Sequence, residues 1–162
     1  RLIEAAKKYG YRIKYVLHPI VSAQVNDFDK NDYVDIIPAV GDMSYETMFR
    51  ESSLMVTDFS GIQFDFAYMR KPLVYLHHKD IPQHYEEGTF FYDTMAFGEI
   101  AHDNDELIDL LCEYMASGCK MKEEYVRRAD NFFYYNDHNN CKRIYDTMIE
   151  YQEKKILPYR QK

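Results

Sequence analysis

Leu54-Met55-Val56-Thr57-Asp58-Phe59-Ser60-Gly61-Ile62-Gln63-Phe64-Asp65-Phe66-Ala67-Tyr68-Met69-Arg70-Lys71-Pro72-Leu73-Val74-Tyr75-Leu76 is the stretch that decides the fold. Leu54 to Thr57 is a brief apolar run of the kind found in buried parallel strands. Asp58-Phe59-Ser60-Gly61 reads as a tight turn. Ile62, Phe66 and Met69 follow at helical spacing, so a helix is expected to about Arg70. Pro72 stops it, and Leu73 to Leu76 reads as another short buried strand. Strand, turn, helix and strand in this order make a parallel unit with a covering helix.

Upstream, Arg1 to Gly10 reads as the end of a helix, with Gly10 as its stop. Tyr11 to Leu17 reads as a strand ended by His18-Pro19, where proline blocks further ladder pairing. A polar stretch follows, and Tyr33 to Pro38 is a second short strand. Asp42 or Ser44 is placed to cap a helix running to about Glu51. Downstream, His77 to Gly98 is a long aromatic loop, a kind of segment that is usually functional in a compact domain. Glu99 to Ala101 is a last short strand. Asp103 and Glu106 have the form of a capping box for a helix ending near Gly118. Met121 to Phe133 and a segment capped by Asp137, with Ile144, Tyr145, Met148 and Ile149 on its apolar face, complete the helices. The fold class is therefore α/β: a parallel sheet covered on both faces, with a helical C-terminal segment packed as a skirt around it.

Composition narrows the function. The 162 residues carry 20 Lys and Arg against 27 Asp and Glu, a net charge of −7, so the chain lacks the basic footprint of a nucleic-acid binder. Tyr and Phe number 16 and 10, a density that argues against disorder. Cys112, Cys119 and Cys141 are an odd set without C-x-x-C, and read as reduced thiols of a cytoplasmic protein. No metal site is expected, because His77, His78 and His84 lack ligand spacing. No apolar run approaches the roughly 18 residues that span a bilayer. Arg1 falls in what reads as mid-helix, so residues 1–162 are taken as one domain cut from a longer polypeptide, in which a site shared between two halves would be half missing.

In open α/β sheets, ligands bind beyond the carboxyl ends of the strands. Two segments deliver polar groups there: His18 after the first strand, and Thr57 to Gly61 after the central one. The Ser60-Gly61 bend leads into a helix whose free N–H groups suit a phosphate, and Ser60 adds a hydroxyl. Two readings of the bend stay open on physical grounds: plain capping by Asp58 or Ser60, or an anion cradle. His18 is likewise either a strand-end histidine bonded to backbone or a site residue. Asp65 reads as a partner for Arg70 or Lys71. Arg127-Arg128 and Lys154-Lys155 read as solvated helix faces.

The string Val56-Thr57-Asp58-Phe59-Ser60-Gly61-Ile62-Gln63-Phe64-Asp65-Phe66-Ala67-Tyr68, with Lys71-Pro72-Leu73, resembles the signature of the CDP-glycerol:poly(glycerophosphate) glycerophosphotransferase family, the teichoic-acid polymerases and primases. Leu17-His18-Pro19, His84-Tyr85-Glu86-Glu87-Gly88, Phe97-Gly98-Glu99 and Asp137 to Tyr145 are similar to other segments of that family. Gly61 departs from it, standing where better-known members have a second serine. The resemblance implies a Rossmann-like C-terminal half of a GT-B fold, holding a CDP-alditol donor. It implies transfer of glycerol phosphate from CDP-glycerol to a teichoic-acid-like acceptor, with release of CMP and no cofactor. The acceptor, polymer or lipid-linked, would be bound mainly by the absent N-terminal half. Carried over, Ser60 and the Gly61 backbone hold the pyrophosphate, Thr57 and Asp58 shape the loop, and His18 is catalytic, bonding a phosphate oxygen or moving a proton. The parent protein would be cytoplasmic and peripheral at the inner face of the plasma membrane, and this chain alone inactive. Alternatives are a GT-B half using CDP-ribitol or a UDP-sugar, and a non-catalytic nucleotide-binding module. A phosphorylated receiver domain, also acidic and doubly wound, would need an acidic pair where His18-Pro19 stands.

Overall fold

The computed structural model describes residues 1–29, 31–39, 44–81, 88 and 90–154. Asp42, His84 to Glu87 and Lys155 lie outside the described residues, and so do the expectations placed on them. Five strands run in the order β1 (Ile13–Leu17), β2 (Val34–Pro38), β3 (Met55–Thr57), β4 (Leu73–Leu76) and β5 (Gly98–Ala101). Every ladder between these strands is parallel, as expected of the apolar strands. The strands form two sheets rather than one: β1 pairs β2, and β4 lies between β3 and β5. The expected single sheet is thus divided between β1 and β3, which do not share a ladder.

Alternation along β4 explains how the larger sheet is covered. Leu73 and Tyr75 face a core containing Phe49, Phe66, Ala67, Ala96, Phe97 and Ala129. Val74 faces the opposite core, with Ala6, Ala101, Leu111, Tyr114 and Met115. The first layer comes from α2 (Tyr45–Glu51), α3 (Ile62–Tyr68) and α6 (Glu123–Phe132), the second from α1 (Leu2–Tyr9) and α5 (Asn104–Ala116). Strand β3 is less buried than expected, and Val56 is 43% exposed. Among the described residues, its outer edge has no paired strand.

Local chemistry sets most boundaries. Gly10 ends α1 in the left-handed region at φ 77. Ser44 caps α2 by accepting from Thr47 N at 3.3 Å, and Asp103 caps α5 by accepting from Glu106 N at 2.9 Å, with Glu106 reaching back to the His102 N–H. A 3-10 helix, Pro19–Asp27, unforeseen in the sequence, runs up to the polar stretch and includes its first residues, Asn26 and Asp27; proline sits at its first turn. Helix α3 ends two residues early because Arg70 adopts φ 57. Arg70 then pairs with Asp130 at 2.6 Å, and Lys71 Nζ donates to the carbonyls of Phe49, Arg50 and Ser52, so Asp65 is partner to neither.

The aromatic loop holds a short helix, α4 (Tyr92–Met95), and much of its content is core. Phe90 and Phe97 meet Phe64 of α3 and Phe132 of α6 at centroid distances of 5.3–6.1 Å. The skirt is only partial. Helix α7 (Asn140–Glu153) buries no residue; Ile144, Tyr145 and Met148 on its apolar stripe are exposed. Asp137 does not cap it: its carboxylate accepts from Asn139 N and pairs with Arg143, while Asn139 holds the cap position. Arg128 is not merely solvated, since it donates to the Ala96 carbonyl at 3.0 Å. All three cysteines are free thiols. Among the described residues, no helix is long and apolar enough to cross a membrane.

Candidate functional site

Thr57 ends β3 opposite Tyr75 of β4 and is buried; from there the chain leaves the sheet into the bend. Asp58 and Gly61 are exposed, and Ser60 is half-buried. Neither Asp58 nor Ser60 caps α3 by a side-chain bond; Gly61 holds the cap position. Gln63 N donates to Ser60 O at 3.3 Å and Phe64 N to Gly61 O at 3.2 Å. Among the described residues, the Gly61 and Ile62 N–H groups have no acceptor. Two N–H groups without acceptors and the Ser60 hydroxyl therefore follow one another just beyond the carboxyl end of β3. That arrangement suits an anion, and the side-chain capping alternative is absent. Gly61 has ordinary right-handed helical backbone, φ −63, and a Cβ built there meets nothing within 4 Å. Its glycine identity is therefore not required by backbone strain.

The bend is held from below by a buried polar network. Tyr75 donates its hydroxyl proton to Gln63 Oε1 at 2.7 Å and accepts from Phe97 N at 3.2 Å. Gln63 Nε2 donates to the Tyr92 hydroxyl at 3.3 Å. This ties the first turn of α3 to β4 and α4. Burial pushes the Tyr75 and Tyr92 phenols up, so both stay neutral donors and acceptors.

His18 follows β1 and is exposed. Its Nδ1 accepts from Ile20 N at 3.3 Å, capping the 3-10 helix, and its carbonyl accepts from the Ser22 hydroxyl at 3.2 Å. This is the backbone-bonded reading of His18, and it has a chemical consequence. With Nδ1 accepting, the proton of the neutral ring sits on Nε2, which is then a donor. Lys14 of β1 pairs with Glu51 at the end of α2 at 2.8 Å, and Ile13 and Leu54 both pack against the core that holds Val74. No hydrogen bond, ion pair or ring contact among the described residues joins His18 to Thr57–Gly61.

His77 is a residue that sequence reasoning left in the aromatic loop. It is the first residue after β4, at the same rim as the bend, and its ring stacks on Phe59 with centroids 4.0 Å apart. The rule that ligands gather beyond strand carboxyl ends would have singled it out. Burial, with His102 adding to it, pushes its proton affinity below the ordinary histidine value of 6.5. The Asp58 main chain and charge pull the other way. A separate cavity of about 280 Å³ beside β5, whose lining includes Asp93, Glu99, Tyr125 and Arg128, touches neither His18 nor the bend.

Comparison with known proteins bears on this geometry. The profile of the family described as CDP-Glycerol:Poly(glycerophosphate) glycerophosphotransferase matches residues 1–150. The minor teichoic acid biosynthesis protein GgaB of Bacillus subtilis (strain 168) is 39% identical over 156 residues, which are 96% of this chain. The chain spans 17% of that relative's length. No solved structure matches. On the match over residues 1–150, this chain belongs to the CDP-glycerol:poly(glycerophosphate) glycerophosphotransferase family.

Proposed function

We propose that this chain holds the donor of a CDP-alditol phosphotransferase, CDP-glycerol, with the diphosphate at the Thr57–Gly61 bend. The observation that carries the reading is the family match across residues 1–150, which includes the bend and His18. The paired open N–H groups of Gly61 and Ile62 and the Ser60 hydroxyl support it. In this reading the Ser60 hydroxyl and those N–H groups bind diphosphate oxygens, and Thr57 and Asp58 fix the loop.

An acceptor hydroxyl attacks the phosphorus that bears glycerol. A new P–O bond forms, the bridging P–O bond breaks, and CMP leaves with the electron pair. Phosphoryl transfer of this kind depends on positioning and on donors aimed at the phosphoryl oxygens. His18 offers an Nε2–H, so the structure favours phosphate-oxygen bonding over proton removal as its part. The acceptor's proton then leaves to another group, and in this proposal the acceptor side belongs to the rest of the parent protein, a second half of a GT-B-like cleft.

Kinetics of the full-length parent protein test this. Ser60→Ala is expected to raise KM for CDP-glycerol about tenfold, the loss of one hydrogen bond to a charged group. His18→Ala is expected to lower kcat by about 10²-fold, as for removal of one charge-stabilising donor. Wild-type constants in either variant, or equal turnover of a UDP-sugar, would overturn the assignment.

A further inference from the structure

The ends of β3 and β4 place Phe59 and His77 face to face. Their centroids are 4.0 Å apart and their planes 14° from parallel, while Tyr92 meets the imidazole edge-on at 4.6 Å. The His77 main chain is pinned to the strand beyond: its N–H donates to Ala101 O at 2.9 Å. Within this clamp Nε2 is buried and has no hydrogen-bond partner among the described residues. A buried polar atom without a partner is uncommon and needs a physical reason.

Every neighbouring element presents a titratable group to this ring. Asp58 comes from the bend, Tyr75 from β4, Tyr92 from α4, and His102 from the end of β5. Only Asp58 favours a charged imidazole, through its main chain and its carboxylate. A proton on Nε2 would be a buried donor with nothing among the described residues to receive it, a costly arrangement that the Phe59 ring face offsets only in part. The charged ring is better solvated outside the clamp, and Phe59 would then lose the His77 stack while keeping Tyr92 edge-on at 5.6 Å.

We propose that His77 is a positioning residue for the donor bend: its uncharged ring, stacked on Phe59 with Tyr92 edge-on to both, helps fix Phe59 and with it Asp58 to Gly61, and a proton on Nε2 weakens that hold. The sign follows from linkage. The packed form binds the proton less readily than a free histidine, so it is favoured as pH rises and is lost as pH falls below about 6.5. This inference deepens the donor-site reading and rests on it only for the ligand.

NMR of the 162-residue chain separates the two. Without ligand, the His77 ring is expected to titrate below 6.5, and the Phe59, Ser60 and Gly61 amides to move with the same midpoint. In His77→Phe, which keeps a flat ring on Phe59 but cannot titrate, those amides should hold their high-pH positions throughout. Bend amides indifferent to the His77 titration, or titrating unchanged in His77→Phe, would overturn the proposal. CDP is then titrated at pH 7.5 and 5.5, with His77→Phe as the control for the nucleotide's own protonation. Wild-type binding is expected to weaken at the lower pH by roughly two- to tenfold more than in the variant, the range spanned by one aromatic pair. If CDP fails to bind while the amides behave as expected, the donor assignment falls and the role of His77 stands. If CDP binds at the bend with the same pH dependence in both proteins, the role of His77 falls and the donor assignment stands.

Discussion

Gly61 shows how a residue's identity and its conformation come apart. Glycine in a bend invites an argument from left-handed backbone, yet φ is −63 and the space where a Cβ would stand is open. A side chain there is sterically free. Gly61→Ser is expected to leave the melting temperature within about 2 °C, as for an unstrained exposed change. If the bend holds a diphosphate, the added hydroxyl should strengthen CDP binding in a calorimetric titration; a large loss of stability would contradict the geometry. Lys71 teaches a related lesson. Its place beside Pro72 was legible as part of a motif, but its task was not. The ammonium closes the carbonyl end of α2 with bonds of 2.7–2.8 Å, so it joins α2 to the start of β4. Burial lowers its proton affinity without taking it from its partners. His18 was legible as a strand-end residue, and its tautomer became readable only once Ile20 N was seen to donate to Nδ1.

At the level of elements, periodicity served where an element buries one face. The apolar run Leu73 to Leu76 announced a strand covered on both sides, and its residues divide between two cores. The 3-10 helix Pro19–Asp27 was missed because its apolar residues carry no helical period: Val21, Ala23 and Val25 alternate as in a strand. The C-terminal helices were visible, but their packing was not. Amphipathicity shows that α7 has an apolar stripe and says nothing of what meets it; Ile144 and Met148 are 62% and 65% exposed. In β5 the closest constraint is Gly98. A Cβ there would fall 1.7 Å from the Leu73 carbonyl oxygen, which is main chain of the adjacent strand and cannot yield. Gly98→Ala is therefore expected to cost about 3 kcal/mol of stability, at the upper end for overpacking, measured by urea unfolding. A cost below about 1 kcal/mol would mean that β5 can shift on β4. The neighbouring Glu99 is held by Lys122 at 2.6 Å and by the Tyr114 hydroxyl at 2.7 Å, and burial, with that carboxylate adding to it, pushes the Tyr114 phenol up. These bonds account for a carboxylate in β5 as a structural group.

Across the whole molecule, the parts assemble around one rim. The strands of the larger sheet deliver Thr57 and His77 to the same edge, and the Tyr75–Gln63–Tyr92 network stiffens the floor beneath it. Val56, Tyr15 and the Ile144, Tyr145 and Met148 stripe of α7 are exposed. With the chain's acidic balance, the anion binding proposed for the bend would rest on local donors instead of bulk charge. Amide-resolved NMR of the 162-residue chain during a CDP-glycerol titration tests this most directly. The account predicts saturable shifts largest at Ser60, Gly61 and Ile62. Saturation that moves the Tyr125 and Arg128 region while those three amides stay still, or no binding at millimolar donor, would contradict it.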